Sequence, residues 1–342
     1  MAVFTCTVAL LASGYVAVVR CVDPYGDFST GHRRFPLLIW DSRPRKLELF
    51  QAYRATGPVY GILLGSSRTQ KLNPQDFQRA TGRRFFNFAV GSMMAEEYLA
   101  TYRWVRRQGV HPRVVIIGLD VEALSNDDAP VPGFRRMAAL NALLIQEHRF
   151  IAVDRLAWLV RIYNDAFTLT YGKATWRSIA IACGPPRQAK QTDYAPDGYM
   201  LTPEEDAPLA QGRSDLRRPL DQCFTEYVDR FRSMTRFSPR RQRNLEQVIR
   251  EAQADGATVL LWITPIHPIT AGHLAGRTNY PALLAATRTY LADLHETRGV
   301  RVYDFSGPEQ FGGDLVHWAD CAHVSTLNAS RIAAHLIADL PR

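Results

Sequence analysis

Four β-branched residues in a row, Val114-Val115-Ile116-Ile117, constrain this chain more than any other feature. A run with no polar member has no face to offer water. It predicts a strand covered on both sides, as in a parallel sheet between two layers of helices. The neighbouring segments agree. Strands are expected over residues 59–64, 85–90, 258–263 and 300–304. Helical stretches alternate with them: 46–55, 95–108 stopped by Gly109, 239–254 stopped by Gly256, 280–298, and a final amphipathic helix over 326–340. Strands alternating with helices over this length predict an α/β fold with a doubly wound parallel sheet and crossover helices. The alternation breaks between about residues 130 and 238. Residues 133–182 read as helical with an apolar stripe of Leu140, Leu144, Ile151, Leu156, Leu159 and Val160, and 183–221 are rich in Pro, Gly, Asp and Gln without periodicity. This middle stretch is expected to be an insertion covering the active edge of the sheet, because long irregular segments in compact domains are usually functional or mobile.

In an open parallel sheet, ligands bind beyond the carboxyl ends of the strands. Those ends carry Gly65-Ser66-Ser67, Gly91-Ser92, Gly118-Leu119-Asp120 and Thr264-Pro265-Ile266-His267. An apolar strand that stops in Gly-Ser-Ser puts a hydroxyl on a sharp strand-to-helix turn. Far downstream, Asp320-x-x-His323 stands just before the last helix and supplies a base with a carboxylate to orient it. Serine becomes nucleophilic only when a base removes its proton and donors hold the oxyanion. Asp320 would fix the imidazole tautomer of His323 for that task. Taken singly, each motif has a plainer meaning: a structural turn, or Asp320 or Ser325 as a helix cap. Their joint occurrence in the order Ser, Asp, His favours a Ser-His-Asp site. His267 reads either as a substrate contact on the rim or as a structural turn residue. Arg68, next to Ser67, reads either as a substrate or charge-stabilising contact or as a solvated or ion-paired residue. His317 and Trp318 are expected to pack or to line the cleft.

This arrangement resembles the SGNH (GDSL-like) hydrolase and acyltransferase superfamily. The family's first block, Gly-Asp-Ser, stands here as Gly65-Ser66-Ser67, so Ser67 matches the nucleophile and Ser66 replaces the aspartate. The second-block glycine, an oxyanion donor, matches Gly91. The third block, Gly-x-Asn-Asp, is kept in part as Gly118-Leu119-Asp120, with an acid where the oxyanion-stabilising asparagine belongs; Ser92 or backbone amides are the alternative donors. The last block matches Asp320 and His323. The resemblance covers residues 57 to 128 and 256 to 340. The Gly-Ser-Ser-Arg variant is similar to membrane-anchored branches that place acyl groups on cell-envelope polysaccharides. The resemblance implies a flavodoxin-like three-layer sandwich and serine-dependent transfer or hydrolysis of O-acyl groups, chiefly O-acetyl. It also implies an acyl-Ser67 intermediate, a carbohydrate or small acyl-ester substrate, a membrane acyl-donor protein as partner, and no cofactor. A non-catalytic member, used as a carbohydrate-binding or scaffold component of an export complex, is the alternative that the altered third block and the long insertion raise.

Residues 2–19 carry no charge, close to the ~20 apolar residues that a membrane span needs. Residues 1–20 are therefore expected to be a membrane anchor or signal-like helix, residues 22–28 a juxtamembrane loop, and 21–342 the α/β domain. Arg20, Arg33 and Arg34 follow the apolar stretch, which by the positive-inside rule points the domain to the cytoplasm. The resemblance points it outward, to the cell envelope. The net charge of +8 comes from scattered pairs such as Arg83-Arg84 and Arg106-Arg107 with no nucleic-acid motif among them, so nucleic acid is not an expected partner. Cys183 and Cys223 flank the polar middle and either pair in an oxidising compartment or stay as unpaired thiols; Cys321 reads as a packing residue. No metal-ligand spacing, phosphate loop or dinucleotide fingerprint is present, so neither a metal nor a nucleotide cofactor is expected.

Overall fold

The β-branched run forms the central strand of a five-stranded parallel sheet in the computed structural model. The structure describes residues 2–24, 34–35, 42–126, 131–135, 137–144, 160, 167–184, 193–202 and 220–340. The chain divides into two units, Met1–Asp41 with Pro132–Gln191, and Ser42–Val131 with Thr192–Arg342.

The sheet belongs to the second unit. Its strands are β1 (Gly61–Gly65), β2 (Phe85–Asn87), β3 (Val114–Leu119), β6 (Thr258–Ile263) and β7 (Arg301–Asp304), in the order β2-β1-β3-β6-β7. A separate antiparallel pair is formed by β4 (Asp193–Tyr194) and β5 (Met200–Leu201). Counted within the large sheet alone, the order is that of doubly wound flavodoxin-like proteins, whose ligand crevice opens where the winding reverses beside the first strand. Register is continuous across it: Leu63 pairs with Asn87 and Ile116, Ile116 with Leu260, and Trp262 with Tyr303.

The strands are apolar on both faces because both are covered, and β1 and β3 are buried at every position. On one face Leu63, Val114, Ile116, Leu260 and Trp262 join a core with Phe77 of α3 (Pro74–Thr81) and Ile332, Ala333 and Leu336 of α12 (Thr326–Ala338). The alternating residues Ile62, Leu64, Val115, Ile117 and Leu261 are equally buried on the other face. There α4 (Ala95–Arg107) packs against α9 (Pro239–Ala254), which also contacts β6. A buried Arg241–Glu96 ion pair at 3.0 Å joins those two helices. Among the described residues of this unit, the other α-helices are α2 (Arg43–Ala55), α8 (Leu220–Ser233), α10 (Pro268–Ala275) and α11 (Tyr280–Arg298).

The expected elements 239–254, 258–263 and 280–298 coincide with α9, β6 and α11, while the second strand is shorter than expected. It leaves regular geometry at Asn87, whose side-chain amide donates to the carbonyls of Thr69 and Leu72 and whose oxygen accepts from the Ala89 amide. The β4–β5 pair is tied to β2 by Lys46 of α2. Its buried ammonium donates to the Asn87 carbonyl at 2.8 Å and to that of Gly198, and lies over the Tyr194 ring. Burial pushes this amine well below its ordinary pKa, against the pull of Asp197.

The first unit contains α1 (Ala2–Val22), two four-residue helices α5 (Pro132–Arg135) and α6 (Ala138–Asn141), and α7 (Leu169–Cys183), which packs on α1. Within α1, Val3–Val22 is long and apolar enough to cross a membrane, with mean hydropathy 1.7 and almost none of it buried. Of the expected apolar stripe, Leu140 and Leu144 are buried and Val160 is exposed, while Ile151, Leu156 and Leu159 lie outside the described residues. Residues 25–28 of the expected juxtamembrane loop, Arg33, and most of the aperiodic 183–221 stretch also lie outside them.

The pairing of Cys183 with Cys223 is corrected. Cys223 is bonded to Cys321 across 98 residues, and Cys183 is a free thiol at the exposed end of α7. The reason is packing: Cys223, Tyr227 and Phe231 of α8 share a core with Leu274 of α10 and with Cys321 and Ala322, which brings the Cα atoms of the pair to 6.1 Å. That distance lies inside the range a disulfide spans.

Candidate active site

The turn after β1 is built around a close approach. Gly65 has φ +154°, and a Cβ there would collide with the Thr69 hydroxyl; one at Gly118 on the neighbouring strand would meet the same hydroxyl. Only glycine tolerates both the backbone angle and the contact. Ser66 then caps a short 3-10 turn, Ser67–Thr69, its hydroxyl accepting from the Arg68 amide at 3.2 Å. Across residues 61–72 every side chain is buried except that of Ser67, which is half-buried. The turn therefore offers one hydroxyl to the rim.

That hydroxyl meets His323. Ser67 Oγ lies 2.7 Å from His323 Nε2, and His323 Nδ1 lies 2.8 Å from both carboxylate oxygens of Asp320. Asp320 Oδ1 also accepts from the amides of Ala322 at 2.8 Å and His323 at 2.9 Å. Burial alone would raise the Asp320 pKa. The His323 hydrogen bond and electrostatic attraction, with those two amides, outweigh it and hold the carboxyl well below the usual carboxylate range. A carboxylate can only accept, so Nδ1 carries the proton and Nε2 turns its lone pair to the Ser67 hydroxyl.

The loop that carries this pair is held from several sides. Trp318 Nε1 donates to the Asp314 carbonyl at 2.9 Å, and the Asn328 amide donates to the carbonyls of Asp314 and His317. Trp318 itself is fully buried, and the Asp314 carboxylate caps the amides of Val316 and His317. His267 braces the loop from the end of β6. Its amide donates to the Cys321 carbonyl at 3.1 Å, and its ring packs edge-on to Trp318 and bonds the Leu315 backbone. Its Nδ1 accepts from the Ile269 amide at 3.2 Å. Burial lowers the pKa of this ring, against the Leu315 bond. His267 is 2% exposed with both ring nitrogens engaged, so of its two readings the geometry gives the turn residue and corrects the rim contact.

Arg68 is the ion-paired residue rather than a substrate contact. It is 3% exposed, and its guanidinium points beneath the turn. There it donates to Glu122 at 2.6 Å and to Tyr227 at 3.0 Å, and lies 3.5 Å from Asp120. Asp120 accepts from Thr264 Oγ1 at 2.6 Å and is also bonded by Ser66. Burial drives the Asp120 pKa up; Arg68 and these two hydroxyls oppose it without prevailing. Glu122 is also disfavoured by burial, but the closer Arg68 contact, with Arg230 behind it, brings its pKa below normal. Asp120 thus turns its carboxyl inward to a cation. No sequence motif marks Glu122 or Tyr227, which reach Arg68 from 54 and 159 residues away.

Gly91 and Ser92 flank the same turn. The Val90 amide donates to the Gly65 carbonyl at 3.1 Å, one residue before Gly91. Gly91 is exposed, and its carbonyl accepts from Arg43 at 3.1 Å, while Arg43 also grips Glu97 through two bonds. In a trans peptide the carbonyl and the next amide point opposite ways, so that bond turns the Ser92 N–H away from Arg43. Ser92 sits at φ +53°, a strained angle for a non-glycine residue. Tyr199 of the β4–β5 hairpin reaches Thr326, three residues beyond His323, at 3.2 Å, so the hairpin borders the site.

No family model matches the chain, and no curated protein matches it. Among solved structures it is similar to a protein from Bacteroides fragilis provisionally described as an acylhydrolase. That likeness has 11% identity and a TM-score of 0.36, and covers 87% of this chain and 94% of the other. It is also similar to a GDSL-like lipase from Bacteroides thetaiotaomicron, with 10% identity and a TM-score of 0.36 over 86% and 97% of the two chains.

Proposed function

We propose that the protein transfers or hydrolyses O-acyl groups, chiefly acetyl, of an envelope polysaccharide through an acyl-Ser67 intermediate. The observation that carries the reading is the unbroken hydrogen-bond chain from Ser67 Oγ through His323 to Asp320. In the first half-reaction His323 Nε2 takes the Ser67 proton as Oγ attacks the acyl carbon, then returns it to the leaving alkoxide. In the second, a sugar hydroxyl or water gives its proton to His323 and attacks the acyl carbon; the Ser67 ester bond breaks and Oγ takes that proton back. Asp320 stays ionised throughout and stabilises the imidazolium. The amides of Gly91 and Ser92, beside the Ser67 turn, are the proposed oxyanion donors.

Asp120 had favoured a non-catalytic scaffold, because a carboxylate facing the oxyanion would oppose the reaction. Its pairing with Arg68 and Thr264 removes that objection. The resemblance of the Gly-Ser-Ser-Arg block to envelope acyltransferases supports the polysaccharide acceptor and a membrane acyl-donor partner. The Cys223–Cys321 disulfide and the apolar α1 support a membrane-anchored domain in an oxidising, extracytoplasmic compartment.

Purified protein given an activated acetyl ester and an envelope oligosaccharide tests the reading. Ser67→Ala and His323→Ala are each expected to lower acetyl turnover by about 10⁴-fold or more with unchanged circular dichroism. Ser66→Ala, which loses a cap, is expected to retain most of the activity. Full activity in Ser67→Ala would overturn the proposal. Acetyl on the sugar marks transfer, and free acetate alone marks hydrolysis.

A further inference from the structure

Helix α7 carries its apolar residues on the outside. Leu169 and Trp176 are 75% and 72% exposed, and Phe167, just before the helix, is 55% exposed. Leu169, Lys173, Trp176 and Ala180 follow a spacing of three and four residues, so they share one face, and all four are exposed. Tyr171, Ala174, Thr175 and Ser178 are buried on the opposite one. A face with two large apolar side chains in water needs an occupant.

Contacts with α1 set the depth of that face. The Tyr15 and Phe167 rings lie 5.7 Å apart, and Val19 packs with Tyr171. A step of four residues on one helix matches a step of four on the other, so the two run side by side in the same direction. Phe167 therefore lies level with Tyr15, which is about 10 Å before the end of α1 at 1.5 Å per residue. Trp176, nine positions beyond Phe167, falls about 3 Å past that end, beyond Arg20. An α1 of 21 residues spans about 31 Å, the hydrocarbon thickness of a bilayer. With α1 in the membrane, Phe167 and Leu169 hang in the acyl layer, and Trp176 lies at the headgroups between Lys173 and Arg177, both exposed. An aromatic ring flanked by cations is the composition of that interface. The groove between the helices, about 600 Å³ and lined by Leu11, Ala12, Tyr15, Phe167, Leu169 and Gly172, suits a lipid chain.

We propose that α7 is a second membrane-bound element. It docks beside α1 in the leaflet at the carboxyl end of that helix and presents Lys173 and Arg177 to anionic lipid phosphates. The proposal rests on α1 being a membrane helix. The test is the full-length chain reconstituted in phosphatidylcholine–phosphatidylglycerol vesicles whose lipids are brominated either near the headgroup or near the chain end. Flotation with the vesicles establishes α1 insertion, and bromine quenching reports tryptophan depth. The expected result is flotation, stronger quenching by headgroup-proximal bromine, and loss of most of that component in Trp176→Phe. Charge reversal by Lys173→Glu with Arg177→Glu is expected to weaken the same component at least several-fold in anionic vesicles. A chain that floats while Trp176→Phe leaves the quenching unchanged overturns the proposal and spares the anchor. A chain that does not float overturns the anchor and the proposal with it.

Discussion

The turn that carries Ser67 and the loop that carries His323 meet at 2.7 Å, yet different chemistry fixes each. The turn is held from below by charge: Arg68, the residue after the nucleophile, is locked to Glu122, Asp120 and Tyr227 in a buried network. The loop is held chiefly by a covalent bond and packing: the Cys223–Cys321 disulfide between Asp320 and His323, the His267 brace and the buried Trp318, with the Asp314 carboxylate capping its amides. The two partners can therefore be displaced independently. Breaking charge should move the nucleophile, and breaking the disulfide should move the base.

The largest effect is expected on the turn side. Arg68→Met leaves buried Asp120 without its cation and Glu122 with only Arg230 at 3.5 Å, and removal of one partner of a buried pair costs about 3–5 kcal/mol. Chemical denaturation should show that loss, and activity should fall with it. A stability loss below about 1 kcal/mol would show that the network does not hold the turn. On the loop side, Cys223→Ser should cost about 2–4 kcal/mol of stability, as a disulfide closing a long loop typically contributes. Reduction of the wild-type protein by a thiol should lower kcat in the same direction and leave Cys223→Ser unaffected. Equal sensitivity of both proteins would break the contrast.

Acid sharpens it further. Asp320 has a folded pKa below its unfolded value of ~3.9, so its contribution is fully present above that value. It is lost as pH falls through the folded pKa. Stability of the wild type should therefore decline more steeply than that of Asp320→Asn below pH ~4, and parallel curves would refute the assignment. The smallest effect belongs to Asp120→Asn. The amide oxygen can still accept from Thr264, and the side chain faces Arg68 rather than the cleft, so turnover should change by less than about tenfold. A gain or loss of the 10²–10³-fold order expected of an oxyanion group would place it at the reacting centre instead.

What the sequence made legible was local or periodic. The β-branched run, the Gly-Ser-Ser stop and the Asp-x-x-His spacing each lie within a few residues, and the sheet and the Ser67–His323–Asp320 contact follow from them. The supports were hidden because each depends on packing between distant segments. Nothing near Cys321 indicates Cys223, since it is the burial of α8 beside residues 321–322 that brings the thiols together. Arg68 and His267 were ambiguous for a related reason. Both residue types serve equally at a rim or beneath it, and only burial decides between the two.

The most direct test of the central claim is labelling with a fluorophosphonate probe followed by peptide mapping, because covalent capture requires an activated serine. A single adduct is expected on Ser67, absent in Ser67→Ala and strongly reduced in His323→Ala, with Ser66→Ala still labelled. An adduct on Ser66, or none on the folded wild-type protein, would contradict it.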